Sequence, residues 1–257
     1  TCGSVGRRSI GRATSRDFRH FSPPQVLIAP GADMPPGHVW YGPGKTTLPG
    51  CPDQHVMFPY LWKLDSDSMD VHLLSSPDGW AWAEVPGGPV LTPGEPGSWD
   101  GGYVVPAGHM LQLGDELWAL PYRGYAIPHK YPRLDPARRH LYAGVRDATG
   151  YALWPRGRLV ALECPAEGRF RTIPLRPAGR RVRLNVSVGP TGFVRVGVMG
   201  KADLPGRTVA ECDGLSAVDG FDVPVTWGGR EELDLPAEPV ALAFELRQAR
   251  LFGVEFV

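Results

Sequence analysis

Lysine is scarce in this chain: four (Lys45, Lys63, Lys130, Lys201) among 27 basic residues, and Asn185 is the single asparagine. That skew reads as genomic base composition rather than function. Net charge is lacking too, since 27 acidic residues balance the 27 basic ones. A nucleic-acid binder ordinarily carries a basic excess, so nucleic acid is not expected as a partner. There is no polybasic stretch for a membrane surface, and no apolar run approaches the roughly 18 residues that span a bilayer. The expectation is therefore a soluble chain without a membrane partner. The cysteines, Cys2, Cys51, Cys164 and Cys212, form no CxxC pair, which excludes a zinc ribbon and leaves isolated thiols. A phosphate-binding Gly loop, a Gly-x-Ser-x-Gly elbow and a His-Glu-x-x-His helix are all missing, which removes nucleotide, esterase and zincin chemistry. The chain opens on Thr1 with no charged n-region or apolar h-region, so no signal peptide is visible. Either one has been removed or the chain is a fragment, and an extracytoplasmic or secreted location is expected.

Glycine and proline are abundant. With 33 and 28 copies they approach a quarter of the 257 residues, a level that can signal low complexity. Eight Trp, eight Tyr and nine Phe are interspersed among them, however, and disordered chains lack such aromatic content. Short strands joined by tight turns fit better, so the predicted class is all-β, with no helix of two turns or more.

An internal repeat supports this. Ile10-Gly11-Arg12-Ala13-Thr14-Ser15-Arg16-Asp17-Phe18-Arg19-His20-Phe21 aligns with Val71-His72-Leu73-Leu74-Ser75-Ser76-Pro77-Asp78-Gly79-Trp80-Ala81-Trp82, about 60 residues later. The pattern is a hairpin: a strand ends at Ser, an Asp accepts hydrogen bonds from the turn backbone, and the next strand opens with an aromatic. A degenerate third copy is read at 151–160. Repeats of this length with four short strands suit a β-propeller blade. One blade is predicted from strands at 39–42, 56–62, 71–76 and 81–85. The next uses 102–111, 116–122, 151–154 and 158–163. After Pro165 the character changes to period-two alternation (Val182, Leu184, Val186, Val188; 194–198; 240–246). Six or so such segments predict an appended β-sandwich, with domains at 1–165, blade boundaries near 30 and 95, and 166–257.

The stretches Arg8-Ser9-Ile10-Gly11-Arg12-Ala13-Thr14-Ser15-Arg16-Asp17-Phe18, Ser76-Pro77-Asp78-Gly79 and Gly97-Ser98-Trp99-Asp100-Gly101-Gly102 resemble the five-bladed β-propeller glycoside hydrolases. That superfamily holds the arabinanases, xylosidases, invertases and β-mannoside phosphorylases. Arg183-Leu184-Asn185-Val186, Glu211-Cys212-Asp213-Gly214-Leu215 and Phe244-Glu245-Leu246-Arg247-Gln248-Ala249-Arg250-Leu251 resemble the C-terminal sandwich of invertase-like bacterial proteins. The resemblance implies a glycan or oligosaccharide ligand and hydrolysis by a carboxylate pair. The chain departs from it in length: about 165 residues before the sandwich supply two and a half to three blades of roughly 50–60 residues each. The first-blade acid that family members use in catalysis has no counterpart. Either the chain is a truncated product or a partner chain or further copy completes the ring.

Glycoside hydrolysis needs two carboxylates flanking the scissile bond. Asp100, directly before a predicted inner strand, is the first candidate, although Ser-Trp-Asp-Gly-Gly is equally good turn chemistry. Asp33 holds the equivalent place in the preceding blade. Asp17 and Asp78 read as hairpin-turn acids, and Asp65, Asp67 and Asp70 as a solvated turn. His129 and Lys130, in the long segment 123–136, fall on the mouth side, where a His can hydrogen-bond a sugar hydroxyl or hold a water. As in some relatives, it could also ligate a structural ion on the propeller axis; no other cofactor or metal is expected. Arg123 and Arg8, near strand ends on that side, could bind hydroxyls or a carboxylate, or form ordinary ion pairs. Trp40, Tyr41 and Trp99 could stack on the C–H face of a pyranose, with packing between blades as the alternative for at least two of them. His55 reads as structural. Beside the hydrolase stands a second reading, a non-catalytic glycan-binding or structural module.

Overall fold

The computed structural model describes residues 6–130, 136–137, 140 and 143–257. The chain is all-β, with seventeen strands and no α-helix among the described residues. It divides into two compact units, Thr1–Leu153 and Trp154–Val257. The break precedes the Pro165 expected from composition, because the strand at Leu162–Arg171 hydrogen-bonds into the second unit's sheet.

The first unit opens with a hairpin, β1 (Ile10–Arg12) against β2 (Gln25–Ile28), prolonged by a bridge between Ser15 and Phe21. Seven strands follow: β3 (His38–Tyr41), β4 (Lys45–Leu48), β5 (Cys51–Met57), β6 (Tyr60–Lys63), β7 (Ser68–Val71), β8 (Leu74–Ser76) and β9 (Ala83–Glu84). They form two sheets, ordered β3-β6-β7 and β4-β5-β8-β9. Each of the first three runs of chain contributes one strand to each sheet, and the fourth adds β9 to the second, so the segment is an antiparallel meander creased across its width. Pro59 marks the crease in the second run, where a ring without an N–H interrupts the ladder. Gly42 marks it in the first. Its φ is +49°, and a Cβ there would lie 2.3 Å from the Tyr60 ring, so only glycine lets the Tyr60 ring close over the backbone.

Strand parity gives this meander two unlike faces. Trp40, Met57, Leu61 and Leu74 point to one and pack with Ile10 of the hairpin. Val39, Trp62 and Met69 point to the other, with Tyr41, Tyr60 and Tyr103 packed against them. Both hairpin turns of the sequence repeat are built alike. Asp17 accepts the backbone N–H groups of Arg19 and His20, and Asp78 those of Trp80 and Ala81. These bonds hold both carboxyls below their ordinary value, led by the bond from His20 in the first and from Trp80 in the second.

Strands β10 (Tyr103–Pro106), β11 (Leu111–Leu113), β12 (Leu117–Tyr125) and β13 (Ala148–Pro155) complete the unit, with β12 pairing all three others. The fourth strand expected at 158–163 is not part of this group. Its C-terminal residues, Leu162 and Glu163, open β14 (Leu162–Arg171), which pairs with β17 (Ala241–Phe256). Alternating apolar residues on both of those strands serve a different core.

That core belongs to the second unit, a single sheet ordered β14-β17-β15-β16, with β15 at Val182–Met199 and β16 at Asp219–Pro224. The segments 182–188 and 194–198, read separately from the sequence, are one strand of 18 residues with a register shift between Val188 and Phe193. Val182, Leu184, Val186, Val194, Val196 and Val198 are all buried in one cluster with Leu242, Phe244 and Trp227. Each such side chain contributes about 1.5–3 kcal/mol on leaving water. The Trp227 indole N–H donates to the Val196 carbonyl at 3.0 Å, so its burial leaves no polar atom unpaired.

Candidate functional site

On the tyrosine face of the meander, residues far apart in sequence converge. Tyr41 ends β3, Trp62 lies on β6, Tyr103 starts β10 and Tyr125 ends β12; His129 and Lys130 follow in the loop. The His129 ring sits edge-on to Trp62 and Tyr103 at 5.3 Å each and to Tyr41 at 6.1 Å. Tyr103 stacks on Tyr125 at 4.2 Å, and Tyr41 lies 5.3 Å from Tyr60. Arg8 places its guanidinium 4.5 Å over Tyr41 and 5.4 Å from Trp62, while the Lys130 ammonium is 4.6 Å from the Trp62 ring. Four of the residues selected from sequence, Arg8, Tyr41, His129 and Lys130, thus share one surface.

Asp67 builds the floor of this cluster. One of its oxygens accepts the Trp62 indole N–H at 2.9 Å and the other accepts the Lys130 backbone N–H. The expectation of a solvated turn is wrong here: Asp67 and Asp70 are buried, and Asp70 pairs with Lys63. Asp67 adopts a positive φ of 55°, which Asp tolerates better than most residues, and this turns its carboxylate inward to fix both the indole and the loop. Burial raises the Tyr103 phenol above its ordinary value, with further contributions from Tyr125 and Asp147. Burial does the same for Tyr60, helped by Tyr41 and Tyr125. The phenols therefore stay protonated as hydrogen-bond donors. Arg123 lies at the rim, 5.1 Å from the Tyr125 ring and 3.7 Å from the Asp147 carboxylate.

Asp100 and Trp99 do not join this cluster. Asp100 accepts the Tyr122 hydroxyl at 2.8 Å and the Ser98 hydroxyl at 3.0 Å, and Trp99 stacks on Tyr122 at 5.3 Å. A Cβ on Gly124 would lie 2.4 Å from Asp100 and 2.5 Å from Trp99, so both sit flat on that glycine. Tyr122 and Gly124 occupy the face of β12 opposite to Arg123 and Tyr125. The shared opening expected for Asp100 and His129 is therefore not formed. Burial, with the bond to Asp100, raises the Tyr122 phenol.

Asp33 and Trp40 belong to a third place, on the apolar face of the meander. A cleft of about 410 Å³ there is lined by Asp33, His38, Trp40, Leu74, Trp82 and Glu84, among others. Trp40 itself is only 3% exposed and packs in the core, so stacking on a sugar is not its role. Glu84 holds the His72 Nδ1 at 2.7 Å, and His72 lies edge-on to Trp40. Glu84 and His72 escaped the reading from sequence; the alternation Trp80-Ala81-Trp82-Ala83-Glu84 is the signal that puts Glu84 beside Trp82. Trp62 and Tyr103 escaped it too, although the parity of Tyr60-Leu61-Trp62 already aligns Trp62 with Tyr60. Among the described residues no group of three or more His, Cys, Asp or Glu side chains is arranged to hold a metal ion.

No family model matches the chain, and no curated protein matches it. Among solved structures, the exo-inulinase of Aspergillus awamori is similar at 12% identity and a TM-score of 0.31, over 96% of this chain. The chain spans 62% of that protein's length.

Proposed function

We propose that this chain is a carbohydrate-active protein that binds a glycan across the surface formed by Arg8, Tyr41, Tyr103, His129 and Lys130. The observation that carries the reading is the convergence of half-buried aromatic rings, a histidine and two exposed cations on a floor fixed by Asp67. Rings held in place by their neighbours offer flat apolar faces to sugar C–H groups, while phenols and imidazole offer hydrogen bonds to hydroxyls. In the same reading the first unit is part of a five-bladed propeller completed by further chain or by a partner. The second is a sandwich, supported by a single core that collects residues from both halves of β15. The test is calorimetric titration against a panel of oligosaccharides. A member of the panel binds, and Tyr41→Ala weakens it by about 0.5–1.5 kcal/mol, the value of an aromatic stacking contact. Absence of binding across the panel overturns the proposal.

A second reading is favoured by a separate observation: two carboxylates, Asp33 and Glu84, line one cleft. As a hydrolase using two-carboxylate chemistry, the protein would work there rather than at Asp100. His72 against Glu84 would hold that carboxylate in place. Turnover of any glycoside that is lost in both Asp33→Asn and Glu84→Gln supports this reading, and turnover that survives both removes it.

A further inference from the structure

Arg8 and Lys130 both lie over the Trp62 ring, which places two like charges within about one Debye length of each other. Both side chains are exposed, and among the described residues neither has a carboxylate within ion-pair distance. Asp67, the acid beneath them, is 2% exposed, and its oxygens accept the Trp62 indole and the Lys130 amide. That burial keeps the carboxylate from solvent, and among the described residues the charged groups exposed over the Trp62 ring are the two cations. Arg123 adds a third cation at the rim, partly countered by Asp147 at 3.7 Å. Two neighbouring cations over one indole repel each other, and an anion between them relieves that repulsion while forming charge-assisted hydrogen bonds.

The ligand must satisfy both halves of the surface: flat apolar faces for Tyr41 and Tyr103, and a negative group for Arg8 and Lys130. A hexuronic acid does both, with a pyranose ring to stack and a carboxylate on C5 projecting from its edge. We infer that the glycan bound at this surface is acidic, a uronate-containing oligosaccharide whose carboxylate is held between Arg8 and Lys130. This rests on the glycan-binding reading above and sharpens it. Arg8 uses its planar guanidinium for a two-pronged grip, and Lys130 acts as a point charge.

The test uses chemically matched pairs: oligogalacturonate and oligoglucuronate, each against its carboxyl-reduced neutral form, titrated by calorimetry at low and high salt. The expected result is at least tenfold tighter binding of one acidic member than of its neutral twin, with the preference shrinking as salt rises. Arg8→Gln and Lys130→Met, both exposed and outside the core, abolish that preference while the unfolding transition stays put. If the neutral twin binds as tightly, or if both variants keep the acidic preference, the inference falls and the glycan-binding reading stands. If neither member of either pair binds, and no neutral oligosaccharide of the wider panel binds, both fall together.

Discussion

In the second unit Arg247, Arg250 and Arg169 each lie 2.7–2.9 Å from a carboxylate on the neighbouring strand, Glu167, Glu163 and Glu245. In the first unit Arg8 and Lys130 lie over aromatic rings instead. The contrast follows from where each cation sits. The paired arginines are in register with their acids along β14 and β17, so regular ladder geometry delivers the partner. Arg8 precedes β1, and Lys130 follows β12 in a loop, where no ladder imposes a partner and each cation lies over a ring.

The largest effect that would break this comparison is in the second unit's core. Trp227→Ala removes the biggest fully buried side chain among the described residues and should cost about 3–5 kcal/mol, read by urea denaturation. Sugar binding by the first unit in mild conditions should persist. Next comes Asp67→Ala, which leaves the buried Trp62 N–H without its acceptor and should cost about 1–3 kcal/mol. It should also free the Lys130 loop, so glycan affinity falls with stability, whereas Arg8→Gln lowers affinity alone. A smaller effect concerns the hairpin tips. Because the Asp78 carboxyl is held below its ordinary value, its stabilisation is present above the unfolded value near 4 and is lost as pH falls through the folded one. The amide resonances of Trp80 and Ala81 should therefore titrate together, with a midpoint below 4. Smallest of all is Arg247→Ala. It breaks a solvent-exposed pair that salt already screens, and its urea curve should overlay that of the parent.

Much of the first unit's architecture is visible in the sequence. The expected strands at 39–42, 56–62, 71–76 and 81–85 fall on the four runs of the meander, the last two set apart by the Ser-x-Asp turn at Asp78. The crease was not legible, since it depends on Tyr60 closing over Gly42 across strands. From the sequence the alternating segments 182–188 and 194–198 stand apart, with Gly189-Pro190-Thr191-Gly192 between them. In the structure it is a bulge inside β15, absorbed by the register shift. At the site, composition pointed to aromatics and cations near strand ends, and the structure brings Arg8, Tyr41, His129 and Lys130 together. Position along the chain puts Asp100 near the cluster, whereas the absence of a Cβ at Gly124 draws it onto the other face of β12. Asp67 reads as an ordinary turn acid in the sequence, because the Lys130 amide that its carboxylate accepts comes from a distant part of the chain.

The same Asp67 clamp gives the molecule an internal optical reporter. Trp62 has its N–H fixed by a carboxylate and its ring overlaid by two cations, so its excited state senses any rearrangement of those charges. Occupancy of the surface can therefore be followed in the unlabelled protein as a change in indole emission, and a Trp62→Phe subtraction isolates this signal from the other seven tryptophans.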